Sequence, residues 1–353
     1  MILGLGTLHF PSNVKLKDFK DLLDFCMKNN INYFDTGFYY GRGLIESILG
    51  KSLLFNRNSF KLTAKFILNN EYSFEDMFKL QLEKLKVFYI DNYLLHNLTD
   101  FNMKEYYPYI NSLKEKKEKK LINNIGFSSH LSPSNLKIFL ERGNWDIVYI
   151  YLNWLDYFSQ TAKEEYDLCT YYRIPVIAMG PLRGGKLLSL PEKYLKELKK
   201  EHKDWSLLDW SMGWFNSLNN CKLALTGATS IEELKENINA SKKILNKKDL
   251  ELLKEIALDY KKEISVPCTN CGYCETFCPS KIRIPLIIKK LNKFLYEKET
   301  DYKWLYNWLK EDSLLEEILK CKHCNYCSTL CPQKINIEER LKSIESNINT
   351  FMQ

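Results

Sequence analysis

One run of four cysteines occurs twice in this chain. Residues 268–279 read C-T-N-C-G-Y-C-E-T-F-C-P, and residues 321–332 read C-K-H-C-N-Y-C-S-T-L-C-P. Both follow C-x2-C-x2-C-x3-C-P. Eleven cysteines in a small secreted chain would suggest a disulfide framework. Here eight of them fall in two identical spacings, which is a metal-ligand pattern. Zinc is the competing reading, but zinc sites typically show two separated C-x2-C pairs. The other three, Cys26, Cys169 and Cys221, lie in apolar patterns and read as small buried hydrophobes.

The spacing resembles that of bacterial-type ferredoxins, which hold [4Fe–4S] clusters. Three cysteines in one tight loop can reach three irons on one face of a cube, with loop amides aimed at the sulfurs. In two-cluster ferredoxins the fourth cysteine, before proline, serves the other cluster. The resemblance therefore implies one cluster on Cys268, Cys271, Cys274 and Cys331. It implies a second on Cys321, Cys324, Cys327 and Cys278.

At 353 residues the chain suits two domains, one of them large enough for a barrel. Hydrophobic content of 45% and charged content of 27% are ordinary for a soluble protein. The net charge of +7 comes from scattered lysines with only seven arginines, so no nucleic-acid face stands out. The start, Met1-Ile2-Leu3-Gly4, lacks the features of a signal peptide. No apolar run reaches bilayer length. The expectation is a reduced, cytoplasmic protein without membrane or nucleic-acid partners.

From Met1 to about Leu225, short apolar runs alternate with amphipathic stretches. Strands are expected at 2–7, 32–35, 60–65, 92–96, 124–128, 147–152, 175–179 and 222–226. Helices are expected over 15–28 and 44–54, after a Ser73 cap, and from Ser132-Pro133 to a stop at Gly143. Eight such units in about 240 residues predict a (β/α)8 TIM barrel. Active-site residues should then end several strands. Asp35 closes the second, with Tyr40 five residues on; Lys65 closes the third and His96 the fourth. Any one of these reads as an ordinary strand end, but the four in order point to a site.

Residues 1 to about 260 resemble an aldo-keto reductase. Asp35, Tyr40, Lys65 and His96 match that family's tetrad. Glu46 and Gly50 match the segment after its Tyr-Gly, and Gly126-Phe127-Ser128 its G-V-S turn. The stretch containing Gly180, Leu182 and Arg183 resembles its P-L-x-G-G-x-L motif. Gly227 and Ser230 through Glu236-Asn237 resemble its last cofactor loop. The resemblance implies carbonyl–alcohol redox chemistry. Tyr40 would give the proton, Lys65 would favour its phenolate, Asp35 would hold Lys65, and His96 would orient the substrate oxygen. NAD or NADP would be held by Ser128, Gly180, Leu182, Arg183, Gly227, Ser230, Glu236 and Asn237.

Three positions depart from the family. Glu233 stands where an arginine usually meets the 2′-phosphate of NADP, which favours NAD. Ser128-Ser129 replaces the Ser-Asn pair that holds the carboxamide, and Tyr149 replaces the glutamine that joins it. Ser230-Ile231-Glu232-Glu233 reads as a capping box that starts a helix, ready for phosphate.

Asp259–Glu263 and Pro267 mark a boundary, giving domains 1–260 and 261–353. The 42 residues between Cys278 and Cys321 read as helical. Leu286, Ile287, Leu291 and Leu295 fall in phase, and the stripe of Trp304, Leu305, Trp308 and Leu309 reads as helix core. The tail thus resembles the small, mainly helical dicluster ferredoxin type. His323 reads as a solvated residue, since four cysteines suffice. The whole chain resembles aldo-keto reductases with a C-terminal two-[4Fe–4S] ferredoxin-like domain.

The leading expectation is an iron–sulfur oxidoreductase acting on a small carbonyl or alcohol and linked to a one-electron carrier protein. Hydride transfer moves two electrons and each cluster one, so a flavin could bridge the halves, although no Rossmann-type phosphate loop is present. The alternatives are an electron-transfer subunit whose barrel is a docking scaffold, and clusters that serve structure alone.

Overall fold

A computed structural model describes residues 2–297, 299–331 and 333–351. Pro332, which closes the second cysteine run, lies outside the described residues. The chain divides into two compact units, Met1–Ala257 and Leu258–Gln353.

The first unit has strands β1 (Ile2–Gly6), β2 (Tyr33–Asp35), β3 (Lys61–Phe66), β4 (Ile90–Thr99), β5 (Ile122–His130), β6 (Ile147–Tyr151), β7 (Val176–Met179) and β8 (Cys221–Thr226). Each pairs in parallel with the next, and β8 returns to β1, so the sheet closes into a (β/α)8 barrel. Parallel neighbours need long crossovers. These are supplied by α1 (Leu16–Lys28), α2 (Ile45–Ser52), α3 (Phe74–Leu85), α4 (Tyr109–Glu118), α5 (Pro133–Leu140), α6 (Trp154–Ser159), α7 (Ala162–Tyr171), α8 (Glu192–Glu201) and α9 (Leu207–Trp214). After β8 come α10 (Ile231–Ala240) and α11 (Lys247–Tyr260).

The periodicities explain these elements. On α1 the buried side is Phe19, Leu22, Leu23 and Cys26, at helical spacing. The Ser73 hydroxyl accepts the Asp76 amide at 3.1 Å and caps α3. Inside the barrel Leu94, Ile147, Tyr149, Ile177, Leu223 and Leu225 form one buried cluster, every second residue of their strands. Cys26, Cys169 and Cys221 are buried, and burial pushes each thiol up to about 12.

Most boundaries differ from the sequence reading by one or two residues, and β5 extends two residues beyond it at each end. β4 runs on three residues past His96 to Thr99, with a register shift between Leu95 and Leu98. In this break Asn97 adopts a left-handed backbone (φ 59°). The α5 helix ends at Leu140, before Gly143.

The second unit is helical. The first cysteine run enters α12 (Tyr273–Thr276) and is followed by α13 (Ile284–Tyr296), α14 (Tyr302–Glu311) and α15 (Leu315–Leu319). The second enters α16 (Tyr326–Thr329) and is followed by α17 (Ile337–Ile348). The duplication extends to the backbone. Asn270, Gly272 and Lys281 have positive φ in the first copy, and His323, Asn325 and Lys334 in the second, at equivalent positions. The core of this unit includes Ile287, Leu291, Leu305, Leu309, Leu341 and Ile344. The stripe on α14 is core in part, with Trp308 packed against this cluster. Leu305 and Leu309 are fully buried, whereas Trp304 is 52% exposed, because the helix turns its leucine edge inward. The Arg283 guanidinium joins Glu317 at 2.7 Å and fixes the start of α13 against α15.

Among the described residues no helix is long and apolar enough to cross a membrane.

Candidate functional site

The four tetrad residues meet at the C-terminal mouth of the barrel. Asp35 ends β2, Lys65 lies one residue before the end of β3, and His96 stands at the break in β4. Tyr40 begins a tight 3-10 turn, Tyr40–Gly43, whose first amide donates to the Gly37 carbonyl at 3.0 Å. Gly37 is required there, since a Cβ would lie 2.9 Å from the Tyr40 ring.

Lys65 Nζ donates to Asp35 Oδ1 at 2.5 Å, to the Thr36 carbonyl at 2.7 Å and to the Tyr40 hydroxyl at 3.4 Å. The Tyr40 hydroxyl is 3.5 Å from His96 Nε2. All four residues are buried. Burial raises the Asp35 carboxyl and lowers the Lys65 amine, and each partner's charge opposes those shifts. Burial, then the Lys65 and His130 charges, hold His96 well below the usual histidine range. Its imidazole is therefore neutral at about pH 7.

A second network holds β3 in place. Gln81 Nε2 donates to Glu46 Oε1 at 2.6 Å and to the Lys65 carbonyl at 3.2 Å, and Gln81 Oε1 accepts from the Tyr93 hydroxyl at 2.6 Å. Sequence reasoning missed Gln81. Its signal was a polar residue within the apolar stripe of α3.

The predicted nucleotide residues fall into two groups. Among those expected near the adenine, Ser230 caps α10 by accepting the Glu233 amide at 3.2 Å. The reciprocal half of the capping box is absent, because the Glu233 carboxylate accepts the Thr229 amide at 2.7 Å. Glu236 is exposed, and Asn237 is buried with its Oδ1 lacking a hydrogen-bond partner. A side chain at Gly227 would meet the His9 ring at 2.6 Å.

The side chains expected to meet the nicotinamide are engaged within the protein. Ser128 Oγ accepts the Asn97 amide at 2.8 Å, and Ser129 Oγ the Leu131 amide at 3.2 Å. The Tyr149 hydroxyl turns to Tyr33 and Thr63. Gly180 opens a turn by accepting the Arg183 amide, and Leu182 is half-buried. Arg183 itself is fully buried, and its Nε donates to both Asp156 oxygens at 3.1 Å. Its guanidinium supports this loop from within.

In the second unit the cysteines gather as two sets of four. Cys268, Cys271, Cys274 and Cys331 line one hollow with Ile284, Pro285 and Ile288. Cys278, Cys321, Cys324 and Cys327 line the other with Lys322, His323 and Glu338. Each set takes its fourth cysteine from the other run. Backbone amides face the sulfurs: Asn270 to Cys268 at 3.4 Å, Tyr273 to Cys271, His323 to Cys321, and three amides to Cys331. Burial raises the thiols of Cys271, to about 12, and of Cys274, Cys321, Cys327 and Cys331. Four thiols with amides turned toward them fit a thiolate-ligated iron–sulfur cluster, whose positive irons would offset that burial. His323 is half-buried between Glu338 and Glu345.

A barrel that seats a buried lysine–carboxylate pair beneath a tyrosine, joined to a unit made for iron–sulfur clusters, defines the class: an iron–sulfur oxidoreductase. The model of the aldo/keto reductase family matches residues 2–258, and that of a 4Fe-4S dicluster domain matches residues 267–336. The chain belongs to the aldo/keto reductase family and carries a dicluster domain at its C-terminal end. It is 27% identical over 256 residues to an uncharacterized oxidoreductase of Bacillus subtilis, YqkF, covering 62% of this chain and 81% of that one. The apo structure of the aldo-keto reductase AKR11C1 from Bacillus halodurans is 25% identical, with TM-score 0.60, over 72% of this chain and 90% of that one. An aldo/keto reductase from Klebsiella pneumoniae, solved with NADP and acetate, shares the fold at 17% identity and TM-score 0.62, over 72% and 91% of the two chains.

Proposed function

We propose that the barrel interconverts a small carbonyl compound and its alcohol with a nicotinamide, and that the dicluster unit exchanges single electrons with a carrier protein. The observation that carries this reading is the Tyr40 hydroxyl, 3.4 Å from Lys65 Nζ and 3.5 Å from His96 Nε2. A bound nicotinamide would supply or take the hydride. Tyr40 would move the proton at the substrate oxygen. The Lys65 ammonium favours the phenolate, and Asp35 anchors that ammonium. Neutral His96 orients the same oxygen by a hydrogen bond. Nicotinamide use is supported by the NADP in the Klebsiella enzyme and by the unpartnered Asn237 Oδ1 at the adenine end. Glu233 at the position for a 2′-phosphate favours NAD. The three relatives described above give no support for a flavin.

A second reading keeps the barrel as a docking scaffold for an electron-transfer subunit. It draws on Ser128, Ser129 and Tyr149, whose hydroxyls are engaged inside the protein. The deciding experiment is an anaerobic titration of the cluster-loaded protein with NADH and NADPH, alongside turnover on a carbonyl panel. Turnover that Tyr40→Phe abolishes supports the reductase. No turnover and no nucleotide binding supports the scaffold.

A further inference from the structure

The two cysteine sets differ in their surroundings. The first, Cys268, Cys271, Cys274 and Cys331, faces a wall of Ile284, Pro285, Ile288, Ile335 and Ile337, all buried. Cys274 and Cys331 are buried as well. The second set holds no buried cysteine: Cys278, Cys321 and Cys327 are half-buried, and Cys324 is exposed. Lys322 and Asn325, which line its hollow, are exposed too. Ile284 lines both hollows, so the two sets share one buried wall residue.

The sets also differ in charge. The rim of the second is built from residues 278–282 and 320–327, tied together by the Ser280 hydroxyl, which donates to the Lys320 carbonyl at 2.7 Å. These two segments hold three lysines, Lys281, Lys320 and Lys322, and no carboxylate. All three lysines are exposed. Glu338, which also lines this hollow, pairs with Lys342 at 2.5 Å, and Glu345 reaches His323 at 3.3 Å. The corresponding segments of the first set, 267–275 and 331–335, carry one glutamate and one lysine, and so balance.

We propose that the rim of the second set is where single electrons cross the protein surface, and that Lys281, Lys320 and Lys322 dock an acidic one-electron carrier protein there. Electron tunnelling falls steeply with distance, so a carrier must approach the set whose ligands reach the surface. The first set keeps its ligands behind the apolar wall. Lysines around the open set attract an acidic surface and fix its register. In each encounter the carrier is oxidised by one electron and the iron held by the second set is reduced by one, or the reverse. No atom changes hands. This deepens the carrier half of the function proposed above and rests on that reading.

The test uses the full-length, cluster-loaded protein. It is reduced with dithionite, and EPR relaxation is followed as a soluble dysprosium chelate is added, with Cys268→Ser and Cys321→Ser assigning the signals. The chelate should speed relaxation at the second set far more than at the first. Equal effects, or a larger one at the first set, overturn the proposal. Stopped flow then follows reduction of the clusters by a reduced, acidic, low-potential [2Fe–2S] ferredoxin. The wild-type rate should fall as salt rises. With Lys281→Gln, Lys320→Gln and Lys322→Gln combined, and iron content unchanged, it should be about tenfold slower at low salt and equal to the wild type at high salt. A wild-type rate in that variant overturns the docking surface. If the variant loses iron, the salt dependence of the wild type decides, and a rate that is flat or rises with salt overturns it. The carrier reading itself fails by a different result, a ferredoxin that reduces neither cluster at any salt although dithionite reduces both. Carbonyl turnover enters neither measurement.

Discussion

Lys65 Nζ and Asp35 Oδ1 meet at 2.5 Å, with side chains only 1% and 5% exposed. Pulling an ammonium and a carboxylate from water costs several kcal/mol per ion, so such a pair is weak evidence for stability. Its sense is chemical: it places a cation beside the Tyr40 hydroxyl, the group that moves the proton in the proposed reaction.

Tyr40→Phe should therefore lower kcat about a hundredfold to ten-thousandfold, the usual share of a positioned general acid. Cluster content and melting temperature should stay at wild-type values. Steady-state kinetics on a carbonyl panel test it, and full-rate turnover would remove Tyr40 from the mechanism.

His96 should not titrate near 6.5, because burial and the Lys65 charge hold it well below that value. Long-range 1H–15N spectra, with His96→Gln identifying the ring, should show a neutral imidazole across the neutral range. A normal titration would mean that the ring is open to water.

Glu46 is pushed up to about 7 from 4.5 by burial. The folded state thus keeps a proton that the unfolded chain releases between those values, so stability falls as pH rises through that window. Glu46→Gln keeps the acceptor for Gln81 and removes the ionisation. Its melting temperature should exceed the wild type's at about pH 8, by the equivalent of roughly 3 kcal/mol, and match it at about pH 4. An equal gain at both pH values would place the effect in packing instead.

Arg183→Met leaves Asp156 buried without its cation and should cost roughly 3–5 kcal/mol of stability. Nucleotide affinity in the folded fraction should change little. Weaker binding with an unchanged melt would instead put Arg183 at the cofactor.

Cys331→Ser should remove the cluster shared with Cys268, Cys271 and Cys274, although it lies in the second run. Iron content should fall from about eight to about four atoms per chain. The surviving spectrum should match that of Cys268→Ser rather than Cys321→Ser.

The barrel was legible because each strand is a short apolar run, and Asp35, Lys65 and His96 each interrupt such a run at its far end. Strand ends were less so. β4 continues through the break at Asn97, where the Ser128 hydroxyl takes an amide that a regular ladder would have paired. Side-chain partners distant in sequence left no local signal. Tyr33 and Tyr149 meet across 116 positions, and Arg183 finds Asp156 across 27. The S-x-x-E pattern at Ser230 correctly marked a helix start, but it could not show that the Thr229 amide would take the glutamate.

The left-handed positions shared by the two cysteine loops set how those loops can vary. Asn270 corresponds to His323, Gly272 to Asn325, and Lys281 to Lys334. Side-chain identity changes at two of these three places, while the turn of the chain is kept. A β-branched residue at any of them would meet a steric penalty whatever its polarity. The loops are thus permissive in composition and strict in handedness, and what the duplication has copied is a path of the backbone.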